Sequence, residues 1–160
     1  MNAIFRVTLT ALCAATFVTT AFAAKPKPAP KPDTLVIEGP WSRATPPGAP
    51  VAGGFLTVRN AGKTEDRLIS ATSPDADKVE IHEMRMDGGV MRMRRMDGGL
   101  TISPGGTLEL APGGFHLMFI GPKHPFVAGQ TVTATLRFER GGERTVRFDV
   151  RAMGAGAAHP

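Results

Sequence analysis

From Asp33 onward the chain alternates apolar and polar residues in short runs: TLVIEG, FLTVRN, RLISATS, KVEIHEM, VMRMRRM, LTI, TLEL, FHLMFIG, TVTATLRFER and RTVRFDV. A period of two places successive side chains on opposite faces of a strand, and Gly and Pro signals separate the runs. No stretch after residue 23 sustains a helical period over about 10 residues, so the pattern predicts an all-β fold, a Greek-key sandwich or barrel. Six Gly-Gly pairs, starting at 53, 88, 98, 105, 113 and 141, fall between or at the edges of these runs. They read as turns, where glycine reaches positive φ without steric cost. MDGG occurs at 86–89 and again at 96–99, and two copies fit consecutive hairpins of a meander better than a solenoid. TPPGAP, residues 45–50, reads as an extended loop.

The first 23 residues do not share this pattern. Arg6 lies in a short basic start, residues 7–22 are mostly apolar or small, and Ala21-Phe22-Ala23 offers a small-x-small cleavage site, the features of a secretory signal. The apolar part is short and rich in Ala and Thr, and no later segment approaches about 18 uninterrupted apolar residues, so no stable membrane insertion is expected after cleavage. AKPKPAPKPD, residues 24–33, reads as an extended Lys/Pro linker, residues 34–152 as one β domain, and 153–160 as a flexible tail.

Composition then excludes several chemistries. The single cysteine, Cys13, falls inside the signal, so the exported chain has no thiolate for disulfide exchange, an iron–sulfur cluster or a blue-copper centre. The formal net charge is +5, but part of it belongs to Arg6 and the Lys/Pro linker. With one Trp, no Tyr and no strip of interleaved basic and aromatic residues, no nucleic-acid partner is expected. No G-x-S-x-G, P-loop or H-E-x-x-H motif occurs, and neither Asp87 nor Glu83 makes a catalytic arrangement with His82, so the chain does not read as an enzyme.

HEMRMDGGVMRMRRM, residues 82–96, holds five of the eight methionines behind a histidine. In a strand His82, Met84 and Met86 share one face. If Gly88-Gly89 form a two-residue loop, Asp87 faces Val90, Met84 faces Met93, and His82 lies diagonal to Met93. His82, Met84, Met91 and Met93 then lie together. A three-residue loop would carry Met93 to the other side, because a one-residue slip exchanges the faces. FHLMFIG, residues 115–121, adds a strand whose Phe115, Leu117 and Phe119 face the core while His116 and Met118 stand side by side on the other face. Isolated His-x-Met triplets are common. Two strands that each present His and Met, without Cys or an acidic cluster, instead suit a soft monovalent ion, Cu(I). The candidate ligands are His82, Met93, His116 and Met118, with Met84 the rival.

These stretches, with GGTLELAPGG before the second and WSRATPPGAPVAGGFLTVRN at 41–60, resemble the periplasmic copper chaperone family PCu(A)C over residues 35–150. The family's motif is H-x10-M-x21-H-x-M. His82 and Met93 match its first spacing and His116-Leu117-Met118 its last element, whereas 22 residues separate Met93 from His116. The extra residue is assigned to the Gly98-Gly99 turn, and Arg95 stands where many members have proline. The resemblance implies a cupredoxin-like fold without a blue-copper centre, Cu(I) binding in the periplasm, and delivery toward the dinuclear copper site of cytochrome c oxidase. It implies as partners the oxidase's copper-bearing subunit and a Sco-like thiol protein.

The competing reading is a secreted β-sandwich adhesion or assembly module whose methionines only pack. Met84, Met86, Met91 and Met96 are each assigned first to packing and second to auxiliary copper contact, Met84 and Met91 foremost. Met153 and His159 on the tail are candidates for a second ion, Cu(II). Arg85, Arg92, Arg94 and Arg95 read first as a solvated face and second as a surface for an acidic partner, and His124 as a surface loop residue.

Overall fold

The computed structural model describes residues 34–156; the segments read as a signal and a Lys/Pro linker, with Cys13, and His159 lie outside the described residues. Each of the ten alternating runs forms a strand: β1 Leu35–Arg43, β2 Val51–Asn60, β3 Asp66–Thr72, β4 Ala76–Asp87, β5 Val90–Arg95, β6 Leu100–Ile102, β7 Thr107–Leu110, β8 Phe115–Pro122, β9 Thr131–Phe138 and β10 Gly142–Arg151. The fold is all-β. Strands β4, β8, β2, β1, β10, β9 and β3 follow one another by hydrogen bonding, and a β3–β4 pairing closes the ring into a seven-strand barrel. The β1–β10 contact is parallel, Trp41 standing opposite Asp149.

The period-two pattern sorts the faces. Along β9, Val132, Ala134, Leu136 and Phe138 point inward, and Val146, Phe148 and Val150 do so along β10. The rings of Phe119, Phe126 and Phe148 fill the centre edge to face, with centroids 5.5 Å and 5.9 Å apart, a geometry favoured by the ring quadrupoles. Burying side chains of this size supplies roughly 1.5–3 kcal/mol each.

Two turn readings fail. Gly53-Gly54 does not turn; it lies inside β2. A Cβ on Gly54 would stand 2.6 Å from the Phe119 ring, so the glycine is there for the close approach of a core aromatic. The second MDGG does not make a hairpin with β5 either. β6 pairs with β3, across Arg67 and Thr101, and Met96-Asp97-Gly98-Gly99 carries the chain from beside β4 to β3, the strand next to β4 in the closed ring. Gly99 has φ +71°, and a Cβ there would meet the Leu68 carbonyl oxygen. Met96 packs against the core at this crossing.

Residues 153–156 form a turn closed by Ala155 N donating to Ala152 O at 2.9 Å. The Arg43 guanidinium donates two hydrogen bonds to Ala155 O, and Gly156 lies close against Trp41 and Pro112. Met153 is exposed.

Candidate metal centre

The length of β4 builds the site. Its first part, Ala76 to Glu83, pairs with β8, and its last part, His82 to Asp87, pairs with β5. His82 therefore sits where the barrel wall gives way to a two-stranded ribbon, with His116 directly opposite on one side and Arg95 on the other. The ribbon has a two-residue loop: Asp87 faces Val90 and Met84 faces Met93. Gly88 and Gly89 hold φ of +57° and +79°, as a type I′ turn requires at both central positions.

On β8, Leu117 and Phe119 are buried in the core while His116 and Met118 share the outer face. Opposite residues of a sheet share a face, so Glu80, His82, Met84, His116 and Met118 lie together, with Gly53 across from Met118 in β2. The His82 and His116 ring centroids are 5.9 Å apart. His116 is buried although it points outward, with the Phe55 ring 6.4 Å away on its other side.

Each imidazole has one nitrogen engaged. His82 Nε2–H donates to Glu80 Oε2 at 2.8 Å, which leaves the lone pair on Nδ1. That atom is buried and has no hydrogen-bond partner. His116 Nδ1–H donates to Gly114 O at 3.1 Å, which leaves Nε2 with the lone pair. A second hydrogen bond that fixes the tautomer and orientation of a histidine is the usual support of a metal ligand. Burial, followed by the proximity of His82, holds the His116 pKa below its ordinary value of 6.5 despite the Gly114 hydrogen bond, which keeps the ring in the neutral form that ligates. Glu80 is held down to about 2, first by hydrogen bonds from Lys78 and His82 and further by the Arg95 charge; Arg95 Nη1 reaches Glu80 Oε1 at 2.9 Å.

Among the described residues no three His, Cys, Asp or Glu side chains converge on a metal position. The further donors on this face are thioethers. A hollow of about 330 Å³ opens over the site, and His116, Met118, Met84 and Met91 border it together with Arg43 and Phe55. Met93 stands opposite Met84 in register but is 47% exposed and borders a groove on the outer side of the ribbon with Arg85, Arg92 and Arg94. His116, Met118 and Met84 thus border one hollow, His82 lies beside His116 without bordering it, and Met93 stands one strand farther out. Met86 and Met91 are each 63% exposed.

Three of the four ribbon arginines have acidic partners. Arg92 reaches Asp87 at 3.0 Å, Arg94 reaches Glu83 at 2.8 Å, and Arg95 holds both Glu80 and Asp97. Their charge is largely answered within the ribbon, as the solvated-face reading expects. His124 is exposed in a loop, 3.2 Å from Asp75. Sequence reasoning overlooked Glu80, although it lies two residues before His82 and so on the same face. It also overlooked Phe55 and the Gly53-Gly54 pair under Met118, whose strand position hid behind a turn signature.

Comparison with known proteins bears on the family and the fold. The family described as "Putative lipoprotein LpqE-like" matches residues 35–150. "Putative lipoprotein Lxx21020" of Leifsonia xyli is 34% identical over 124 residues, which cover 78% of this chain and 74% of that protein. The copper-bound PCuAC domain from PmoF2 superposes with a TM-score of 0.64 at 30% identity, over 74% of this chain and 93% of that one. The Cu(I) form of DR1885 from Deinococcus radiodurans gives 0.59 at 30% identity, over 76% and 79%. These neighbours have the cupredoxin-like architecture that the family resemblance implied. The chain belongs to the LpqE-like family, the family of the PCu(A)C copper chaperone domains.

Proposed function

We propose that this protein is an exported copper chaperone that holds Cu(I) with His82, Met93, His116 and Met118. The observation that carries the reading is the pair of cross-strand imidazoles, each oriented by one hydrogen bond and each left with one lone pair, His82 Nδ1 being buried without a partner. Two neutral imidazoles and two neutral thioethers suit a soft monovalent ion. The copper-bound relatives support the same cargo. Met93 reaches the site by rotating an unbranched side chain with three free torsions, and Met84, already on the hollow's border, is the alternative thioether, followed by Met91.

Copper is cargo here, and nothing in the reading calls for a catalysed reaction. An incoming partner replaces the exposed thioethers one at a time, while the imidazoles, fixed to the barrel wall, release last. Delivery toward the dinuclear copper site of cytochrome c oxidase, with the oxidase's copper-bearing subunit and a Sco-like thiol protein as partners, rests on the family. Periplasmic location rests on the amino-terminal signal and on the lipoprotein names of relatives. A second ion, Cu(II), would be held at the tail through the His159 imidazole together with Met153; His159 lies outside the described residues.

A competition titration with a chromophoric Cu(I) chelator under anaerobic, reducing conditions tests the reading. Met93→Leu and Met118→Leu should each weaken binding, and unchanged affinity in both would remove these ligands. At about 100 times the dissociation constant, Cu(I) should stabilise the native state by roughly 2.7 kcal/mol, whereas a packing-only adhesion module would melt at the same temperature with or without copper.

A further inference from the structure

The ribbon carries more sulfur than a four-ligand site uses. Met84 and Met93 form one directly opposed pair, and Met86 and Met91 form the next. Pairs two residues apart along a strand share a face, so four thioethers form two adjacent rungs running from the histidines to the turn. Opposed Cβ atoms lie about 4.5–5.5 Å apart and the rungs roughly 7 Å apart, distances that flexible methionine side chains close around a single ion.

Packing does not account for the outer rung. Met96, in the same segment, lies against the core, while Met86 and Met91 are each 63% exposed at the end of a ribbon without a third strand. Met91 also borders the hollow together with His116 and Met118, which makes the outer rung continuous with the inner site. On the reverse face the charges are Glu83, Arg85, Asp87, Arg92 and Arg94, with two of the arginines bridged to the two acids. No unpaired acid on the ribbon would draw a hard divalent cation in preference.

We propose that Met86 and Met91, with Met93 or Met84 from the rung below, form a second, thioether-only binding station for a soft monovalent ion, distinct from the two-imidazole site and in line with it. The ion enters and leaves as the monovalent cation, bound only by neutral sulfur, and no electron or proton is transferred. Thioethers alone bind more weakly than thioethers with imidazoles, so the station fills after the inner site at equilibrium and provides the exposed first contact during loading. This station deepens the copper-chaperone reading and takes its ion from it.

The test is a titration of the protein, labelled with ¹³C at the methionine ε-methyl groups, with Cu(I) under reducing, anaerobic conditions and separately with Ag(I). The inner site should fill first, moving the His82 and His116 ring signals. A second equivalent should then shift the Met86 and Met91 methyl signals together. The exposed Met86→Leu variant keeps its apolar bulk outside the inner site, should keep its fold and first equivalent, and should lose the second. If Met86 and Met91 stay silent through excess ion while the inner residues respond, the station is refuted and the chaperone reading stands. If the outer methyls respond while both histidine rings stay silent, the station is supported and the two-imidazole site is refuted.

Discussion

The barrel and the β4–β5 ribbon are built from the same alternating pattern but solve opposite problems. In the barrel the inward residues of β8, β9 and β10 close over one another, and Phe119, Phe138 and Phe148 have almost no exposed surface. In the ribbon no face is covered, and every residue of β5 is exposed. His82 stands at the junction and His116 on the barrel side. The imidazoles therefore inherit the rigidity of a packed wall, and most of the thioethers inherit the freedom of a two-stranded hairpin, which is marginal by itself. A carrier gains from this division. The fixed nitrogens define the site, and the mobile sulfurs admit and release the ion.

Removing barrel packing should have the largest effect. Phe119→Ala leaves a void under Gly54 and between Phe126 and Phe148, and a loss of about 3–5 kcal/mol is expected in urea unfolding. A Met86→Leu, Met91→Leu variant should change stability by less than about 0.5 kcal/mol, as surface substitutions do. Comparable losses in both would mean that the ribbon is part of the core, contrary to the contrast drawn above.

The next effect belongs to the junction. Glu80→Gln keeps the shape but weakens the acceptor that orients His82 and releases Arg95 and Lys78. Loss of such an outer partner typically lowers metal affinity roughly 10–100-fold. Cu(I) competition should show that fall, together with a lowered apo melting temperature at neutral pH as the carboxylate's ion pairs are lost. If affinity held, the His82 orientation would have to come from the sheet alone.

A smaller effect should appear with pH. His116 has a folded pKa below its ordinary 6.5, chiefly because it is buried. Its unfolded form therefore binds protons first as pH falls, and stability rises with pH where the unfolded state holds more protons. The contribution is fully present above pH 6.5 and is lost as pH drops through the folded midpoint. Glu80, held at about 2, acts in the same direction, with a contribution present above its ordinary 4.5 and lost toward pH 2. An NMR titration of the His116 ring with a midpoint at or above 6.5 would contradict the desolvated environment, and with it the claim that this ligand belongs to the wall.

Much of this was legible in the chain. The alternation in FHLMFIG places Leu117 and Phe119 inside and His116 and Met118 outside, and Gly88-Gly89 fixes the register that sets Met84 opposite Met93. Both are local rules, written within a few residues. What was not legible depends on partners distant in sequence. Gly53-Gly54 looks like a turn until the Phe119 ring is known to press against it. The second MDGG looks like a hairpin until β6 is seen beside β3. That Met93 borders the arginine groove and not the hollow depends on side-chain torsions, which strand alternation leaves open.

The smallest expected effect is on the ribbon's charged face. Arg94 reaches Glu83 at 2.8 Å with the arginine side chain 68% exposed, and an exposed pair of this kind contributes about 0.2–1 kcal/mol. Arg94→Ala should therefore move the midpoint of unfolding slightly, and the difference should shrink as salt screens the pair. The same substitution sharpens the docking question. Three of the four ribbon arginines are already answered by Asp87, Glu83, Glu80 and Asp97, so association with a copper-accepting partner should depend only weakly on ionic strength. A steep fall in association rate with salt, reduced by Arg94→Ala, would show instead that these pairs open to meet an acidic surface, and the ribbon would then guide the partner as well as the ion.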